Sequence, residues 1–249
     1  MLGSVESSKA WHWAARGKHP VARDYFCLGR NSPLIKALSD WMEKGYQALH
    51  SKQRVSSMLS SWRFWAKGPE KETLVCGVGR DSSDSLGRPY LLLIVGTGPL
   101  EGWQDQWNLL PIACEKTWRH IEHLSTKRFS DLKQLADEVR IIQPPYPHWS
   151  DFVSQRGDLE MSSWNSGALE SKGASLSTER ELFVPLEGGP SNDHVAAADL
   201  WHSFLKARAK VIPNAVFMGG VADESYLAVF KRPLVPSDFV LLWSGLRAT

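Results

Sequence analysis

Residues 73–95 read TLVCGVGRDSSDSLGRPYLLLIV and indicate the fold class of this chain. Residues 73–78 are rich in β-branched and apolar side chains, a composition typical of a strand. Residues 90–95 are almost entirely apolar, which predicts a strand that is covered on both faces. The segment between them is dense in Ser, Asp and Gly, residues that favour turns. We therefore expect two strands joined by a polar loop.

Helical patterns and further short strands surround these two strands in the sequence. Pro33 suits the first turn of a helix, and apolar side chains follow it at helical spacing as far as Leu49. Residues 62–65 are aromatic and predict a short strand. The other expected elements are helices at residues 103–124, from Ser130, from near Asp193 and from near Ser237, and strands at residues 182–185, 215–218 and 226–230. This order predicts an α/β fold in which helices flank both faces of a central, mainly antiparallel sheet.

The chain is expected to form a single domain with two less regular segments. Residues 1–16 show no clear hydrophobic period and are interpreted as a loose N-terminal lead-in. Residues 17–249 are expected to form one α/β domain. Within it, residues 150–180 are rich in Ser and poor in aliphatic side chains, which is typical of a surface insertion or linker.

The composition argues against several classes of protein. Of the 249 residues, 43% are hydrophobic and 22% are charged, as in ordinary soluble proteins, and the net charge of +2 argues against a nucleic-acid partner. Residues 90–95 form the longest apolar run, far short of the roughly 20 residues that span a membrane, so we expect no membrane insertion. The start of the sequence lacks the pattern of a secretory signal, and the three cysteines form no CxxC pair. These features favour a cytoplasmic location for the protein.

Tryptophan is unusually frequent, since it supplies 12 of the 26 aromatic residues. Buried tryptophan needs a partner for its indole N–H, and exposed tryptophan often marks an interface. Four tryptophans lie on expected apolar faces and are interpreted as core residues: Trp41, Trp62, Trp201 and Trp243. Five others are candidates for contact with a partner: Trp11, Trp13, Trp65, Trp149 and Trp164.

No pattern in the sequence predicts catalytic, cofactor-binding or metal-ligating residues. The run from Gly96 to Gly102 resembles a dinucleotide fingerprint, but its third glycine falls one residue late and Pro99 removes an N–H from the phosphate cradle. His120 and His123 share a face of an expected helix, yet no third ligand has a suitable spacing for zinc. There is no nucleophile elbow of the G-x-S-x-G type. We expect no enzymatic activity and no cofactor, and an unrecognised enzyme that uses the Cys and His residues remains the alternative.

Asp84 and Arg88 lie on the polar loop between the two expected strands. Between them, Gly87 can adopt a positive φ. In one interpretation the two charges form an ion pair that shapes the loop. In the other, the loop presents the arginine to an acidic or phosphorylated group of a partner.

Four segments of the sequence together resemble the TagF (ImpM) proteins, which are associated with type VI secretion in Gram-negative bacteria. They are GKHPVARDY at residues 17–25, Trp41 on its helix, WRF at residues 62–64 and DSLGRPYLL at residues 84–92. Arg23 replaces the usual glycine of the first motif, and residues 214–218 align with a later family strand. The motif residues and candidate partner contacts are Gly17, Lys18, Pro20, Asp24, Trp62, Arg63, Phe64, Asp84, Gly87 and Arg88.

The resemblance implies a longin- or profilin-like sandwich and a role without catalysis. TagF-like proteins are accessory and regulatory factors of the secretion machine. By resemblance, this chain would repress assembly after translation by binding a scaffold protein with a forkhead-associated domain. The Asp84–Arg88 loop and aromatic side chains near Trp62 and Trp65 would form the contact surface. A structural subunit of the apparatus is the alternative, and the oligomeric state is left open.

Overall fold

A computed structural model describes six parts of the chain: residues 10–51, 59–156, 180–186, 194–209, 211–221 and 224–244. Trp164 and most of the Ser-rich segment, residues 157–179, lie outside these ranges.

Strands from both ends of the described chain form a single antiparallel sheet. The eight strands described are β1 (His12–Gly17), β2 (Phe26–Gly29), β3 (Ser60–Lys67), β4 (Thr73–Ser83), β5 (Pro89–Pro99), β6 (Glu181–Pro185), β7 (Ala215–Val221) and β8 (Glu224–Phe230). Their order across the sheet is β2-β1-β5-β4-β3-β7-β8-β6, and every pair of neighbours is antiparallel. The fold class expected from the sequence is confirmed.

Helices cover both faces of this sheet. They are α1 (Pro33–Ser51), α2 (Leu110–Ala113), α3 (Glu115–Thr126), α4 (Leu132–Arg140), α5 (Trp149–Arg156), α6 (His194–Arg208) and α7 (Pro236–Trp243), with a short 3-10 turn at Trp107–Leu109. Buried side chains of α1 and α7 pack on one face, and those of α2, α3, α4 and α6 pack on the other. Pro111 was expected to interrupt or restart the helix over residues 103–124, and the structure has the 3-10 turn, α2 and α3 in this region. Asp131, rather than Ser130, caps α4 by accepting a 2.8 Å hydrogen bond from the Gln134 N–H.

Strand β5 shows how one strand serves both cores. Leu91, Leu93 and Val95 face α1 and α7, whereas Leu92 and Ile94 face the opposite helices. Side chains alternate across a strand, so a strand buried on both faces must be apolar at nearly every position. The expectation of a doubly covered strand at residues 90–95 is confirmed.

The interpretation of residues 1–16 as a loose lead-in is wrong for residues 12–16. These residues form most of β1, which pairs with β2 on one side and with β5 on the other. Ala14 and Ala15 are fully buried and belong to opposite cores. Alanine has little strand propensity of its own, so the burial of this strand left no hydrophobic period in the sequence.

Candidate functional site

Asp84 is the centre of the loop between β4 and β5. Its side chain is fully buried, and its Oδ1 accepts hydrogen bonds from the backbone N–H groups of Leu86 and Arg88, both at 3.0 Å. The Gly87 N–H donates to the Asp84 carbonyl at 2.9 Å, which closes a tight turn. Gly87 has a φ of +76°, a conformation that glycine adopts without strain. The loop is thus folded around a single carboxylate.

Two cations share the second oxygen of this carboxylate. Lys18 Nζ lies 3.0 Å from Asp84 Oδ2, and Arg88 Nε lies 2.7 Å from the same atom. Arg88 also donates to the Arg23 carbonyl at 2.6 Å and lies 3.4 Å from the carboxylate of Asp24. We call Lys18, Asp24, Asp84 and Arg88 the Asp84 cluster. It joins the first and last of the four sequence motifs.

Hydrogen bonding decides the protonation state of Asp84. Burial alone would raise the pKa of this carboxyl group, but the hydrogen bonds from Lys18, Arg88 and Leu86 outweigh it and hold the pKa well below its usual range. The side chain is therefore an anion at neutral pH, and the expectation of an Asp84–Arg88 ion pair is confirmed.

Gly17 and Pro20 shape the chain that brings Lys18 to Asp84. Gly17 has a φ of +122°, and a Cβ at this position would lie 1.9 Å from the Leu91 carbonyl oxygen. Lys18 follows directly, and its N–H donates to that same carbonyl at 2.9 Å. Pro20 lies in a turn closed by the Ala22 N–H and the His19 carbonyl at 2.9 Å. The backbone conformation of the first motif therefore places Lys18 next to Asp84.

The motif at residues 62–64 lies apart from the Asp84 cluster. In the antiparallel ladder Arg63 is opposite Val78, six residues before Asp84, a separation of about 20 Å along the strand. Trp62 and Phe64 are buried against α1 and α7. The structure thus brings together Gly17, Lys18, Pro20, Asp24, Asp84, Gly87 and Arg88, but not Trp62, Arg63 and Phe64.

Arg63 points to the opposite face and binds two glutamates of α3. Its Nε and Nη2 donate to the two carboxylate oxygens of Glu122 at 2.7 and 2.8 Å, and its Nη1 donates to Glu115 at 2.7 Å. Burial would lower the pKa of Arg63, but these carboxylates raise it. Nothing in the sequence motif indicated the two glutamates, because they lie more than fifty residues later. The paired charges line a cavity of about 360 Å³ with Trp118 and His194.

Most of the tryptophans proposed for partner contact have partners inside the protein. Trp65 is fully buried, and its Nε1 donates to His202 Nε2 at 3.0 Å. Trp62 and Trp13 are also buried. Trp11 and Trp149 are half-buried and donate to the carbonyl groups of Pro99 and Glu101. The interpretation of Trp62 as a core residue is confirmed, whereas the expectation that Trp65 contacts a partner is wrong.

The glycines that resembled a dinucleotide fingerprint have a packing role. Gly96 and Gly98 lie inside β5, which continues to Pro99. A Cβ at Gly96 would lie 2.4 Å from the ring of Trp13, and one at Gly98 would lie 2.5 Å from the ring of Trp11. These positions therefore leave room for indole rings. The chain leaves β5 after Pro99.

The cysteine and histidine residues do not assemble into a metal site in the described ranges, where no three His, Cys, Asp or Glu side chains are grouped to hold an ion. Cys27 is exposed, whereas Cys76 and Cys114 are buried. Burial, together with the neighbouring Cys76, raises the pKa of the Cys114 thiol well above its ordinary value. Cys114 is therefore a neutral thiol at physiological pH.

Comparison with known proteins agrees with the motifs that meet at Asp84. Residues 14–141 match the family described as TagF N-terminal domain, Type VI secretion system-associated. The chain belongs to this family. The TagF-family chain is thus an accessory protein associated with type VI secretion.

A solved structure has a fold similar to that of the TagF-family chain. The crystal structure of PA0076 from Pseudomonas aeruginosa PAO1 is similar with a TM-score of 0.53, at 14% sequence identity over 93% of each chain. At this identity the similarity concerns the fold. A search of curated proteins found no match. In the described part of the TagF-family chain, no helix is both long and apolar enough to cross a membrane.

Proposed function

We propose that this chain is a non-enzymatic, cytoplasmic regulator that represses assembly of the type VI secretion apparatus after translation. It would do so by binding a scaffold protein with a forkhead-associated domain. Membership of a type VI secretion-associated family carries the proposal. The chemistry of the Asp84 cluster supports it, because every charge there is engaged in holding a loop in one conformation.

The outer surface of that loop is suited to contact with another protein. Leu86 at the tip has an exposed fraction of 69%, and Tyr25, which follows Asp24 of the cluster in the chain, is also exposed. The Arg88 side chain is about half exposed although its guanidinium holds Asp84. A rigid loop that presents an apolar tip beside an arginine loses little conformational entropy on binding. Arginine and tyrosine are also enriched where interfaces gain most of their binding energy.

Binding to the purified scaffold from the same organism tests the partner, and Leu86→Ser tests the surface. Leu86→Ser should weaken binding while the melting temperature holds, because the side chain is exposed. Ile141→Ser is the matched control, since Ile141 is a similarly exposed aliphatic residue. Arg88→Ala should lower both the melting temperature and the affinity, because Arg88 shapes the loop as well as facing solvent.

Deletion of the gene tests the direction of regulation. Loss of a repressor should increase secretion by the apparatus, and restoring the wild-type chain should reverse the increase. Unchanged secretion together with no measurable binding to the scaffold would contradict the proposal. Co-purification with the assembled apparatus at a fixed stoichiometry would favour a structural subunit instead.

A further inference from the structure

A second cavity, of about 770 Å³, lies beside the loop that carries Lys18. Its wall is formed by the turn at residues 19–21, the end of β4, and the end of α3 with the residues that follow it. Cavities of 300–1,000 Å³ are typical of sites for small molecules. The size is therefore sufficient for an organic ligand.

The polar part of the wall is basic. Arg80, Lys127 and Arg128 line the cavity together with the hydroxyl groups of Ser82 and Ser83. Each of these side chains can donate hydrogen bonds to an anion, and arginine guanidinium groups match the geometry of phosphate oxygens.

Arg80 has no acidic partner among the described residues, although it is half-buried. Its guanidinium donates to the Ser125 hydroxyl at 3.1 Å and to the Asp81 carbonyl at 3.4 Å, both uncharged acceptors. Arg128 has no ion pair in the described part of the chain either, whereas Lys127 pairs with Glu138 at 2.9 Å. Charges withdrawn from water are normally paired. Arg80, half-buried and without an ion pair, therefore indicates room for an anion, and the exposed Arg128 supplies a second guanidinium group at the same cavity.

Asp81 is the acidic residue of the described cavity wall, and both of its oxygens are already engaged. Oδ2 accepts from the Ser60 N–H at 2.8 Å, and Oδ1 accepts from Trp243 Nε1 at 2.9 Å. Its carboxylate is thus fixed by groups outside the cavity wall. The positive charge of Arg80 acts to lower the pKa of Asp81, but the two side chains form no ion pair among the described residues.

The inner wall is apolar and aromatic. His19 is only 2% exposed, and its ring lies 5.6 Å from that of Phe129. Its Nδ1 accepts from the Val21 N–H at 3.2 Å, which places the proton of the neutral ring on Nε2. Nε2 is buried. Pro20, Val21 and Phe129 complete a surface suited to an uncharged organic group.

We propose that this cavity binds a small organic phosphomonoester, with the phosphate held by Arg80 and Arg128 and the organic group packed against Phe129. A phosphate dianion matches two guanidinium groups, and inorganic phosphate alone would leave much of the volume empty. Leu86 and Arg88 do not line this cavity, so its test does not depend on the secretion partner.

Calorimetric titration of the full chain with phenyl phosphate tests the proposal, with inorganic phosphate, phenol and benzoate as comparison ligands at constant ionic strength. Phenyl phosphate should bind more tightly than inorganic phosphate, because its ring contacts the apolar wall. Phenol and benzoate should bind more weakly than phenyl phosphate. Binding should also shift the NMR resonances of the His19 ring, which would place the ligand in this cavity.

Arg80→Gln and Arg128→Gln should each weaken phenyl phosphate binding by about 10-fold or more, the effect of losing one charge-assisted hydrogen bond. Arg140→Gln is the matched control, since Arg140 is an exposed arginine of α4 paired with Asp137. If Arg80→Gln fails to fold, Arg128→Gln decides, because Arg128 is exposed. Absence of saturable binding, equal loss in Arg140→Gln, or equally tight binding of benzoate would overturn the proposal.

Discussion

The Asp84 cluster and the cluster around Arg232, which lie in different halves of the sheet, have opposite arrangements of charge. In the half formed by β2-β1-β5-β4-β3, the carboxylate of Asp84 lies between the cations of Lys18 and Arg88. In the half formed by β7-β8-β6, the guanidinium of Arg232 lies between Glu181 and Asp238, and both Asp238 oxygens accept from it at 2.7 Å. The first arrangement shapes a surface loop. The second fastens α7, through Asp238 in its first turn, to β6 at the edge of the sheet.

The cluster in the first half thus shapes an exposed loop, whereas the cluster in the second half holds a helix on the sheet. The family match, residues 14–141, covers the first half except for the first two residues of β1, and it ends before the second half begins. Yet the two halves share one hydrogen-bonded ladder where β3 pairs with β7, and Trp65 of β3 donates to His202 of α6. The following changes test how far the halves act as one unit.

Trp65→Ala should have the largest effect, because it removes a fully buried ring at the junction of the two halves. We expect the free energy of unfolding to fall by about 3–5 kcal/mol, the usual range for such a truncation. Urea unfolding followed by far-UV circular dichroism measures it. Trp149→Ala, at a half-buried indole, is the control and should have a smaller effect. Equal effects would show that Trp65 does not join the halves.

Arg232→Gln should rank second, because it leaves the buried carboxylate of Asp238 without its cation. Hydrogen bonds to charged groups contribute about 1.5–3 kcal/mol, so we expect a loss in that range. Arg140→Gln breaks an exposed pair and should lose less than about 1 kcal/mol. Thermal unfolding of both variants measures the difference, and similar melting temperatures would contradict the role of Arg232 as a fastener.

Gly17→Ala and Gly87→Ala should differ in how much stability they lose, although both glycines belong to the family motifs. At Gly17 the added Cβ meets the Leu91 carbonyl at 1.9 Å, whereas at Gly87 it meets nothing within 4 Å. The left-handed backbone at Gly87 alone costs about 1–2 kcal/mol. Gly17→Ala should lose more than Gly87→Ala, because a backbone clash is added to the strain. Chemical denaturation in parallel measures both, and the reverse order would mean that β1 shifts without penalty.

Asp84→Asn should lower the folding stability at neutral pH and should, to a smaller extent, flatten the dependence of stability on pH. The pKa of Asp84 is lowered in the folded state, so its contribution is present above the ordinary value of 3.8 and disappears as the pH falls towards the folded pKa. The variant should therefore lose less stability than the wild type between pH 6 and pH 3, as measured by urea unfolding at each pH.

Asp81→Asn should change the pH profile in the opposite direction. Burial raises the pKa of Asp81, so its protonation in the folded state favours folding as the pH falls through that range. Removing this carboxyl group should make the loss of stability towards pH 3 steeper. A profile that changes in the same direction in both variants would contradict the opposite shifts of these two carboxyl groups.

The sequence predicted those parts of the molecule that carry a strong local pattern. The apolar run of β5 and the Asp84–Arg88 pair are such cases, since each is encoded within a few residues. Strand β1 was missed because its buried positions include an arginine, a glycine and two alanines, which give no alternating hydrophobic pattern. The burial of Trp65 was missed because the residue that covers it, His202, lies 137 positions later in the chain. Lys18 was placed in a motif, but its contact with Asp84 required the fold.

The pairing of β3 with β7 has a consequence for how the chain folds during synthesis. It joins residues 60–67 to residues 215–221, so the loop that closes is very long and its entropy must be lost before the contact forms. Until the ribosome has made β7, β3 is an unprotected edge strand with aromatic side chains on both faces. Such edges invite pairing with other chains. A fragment ending at residue 141 would retain this edge permanently and should aggregate more readily than the full chain.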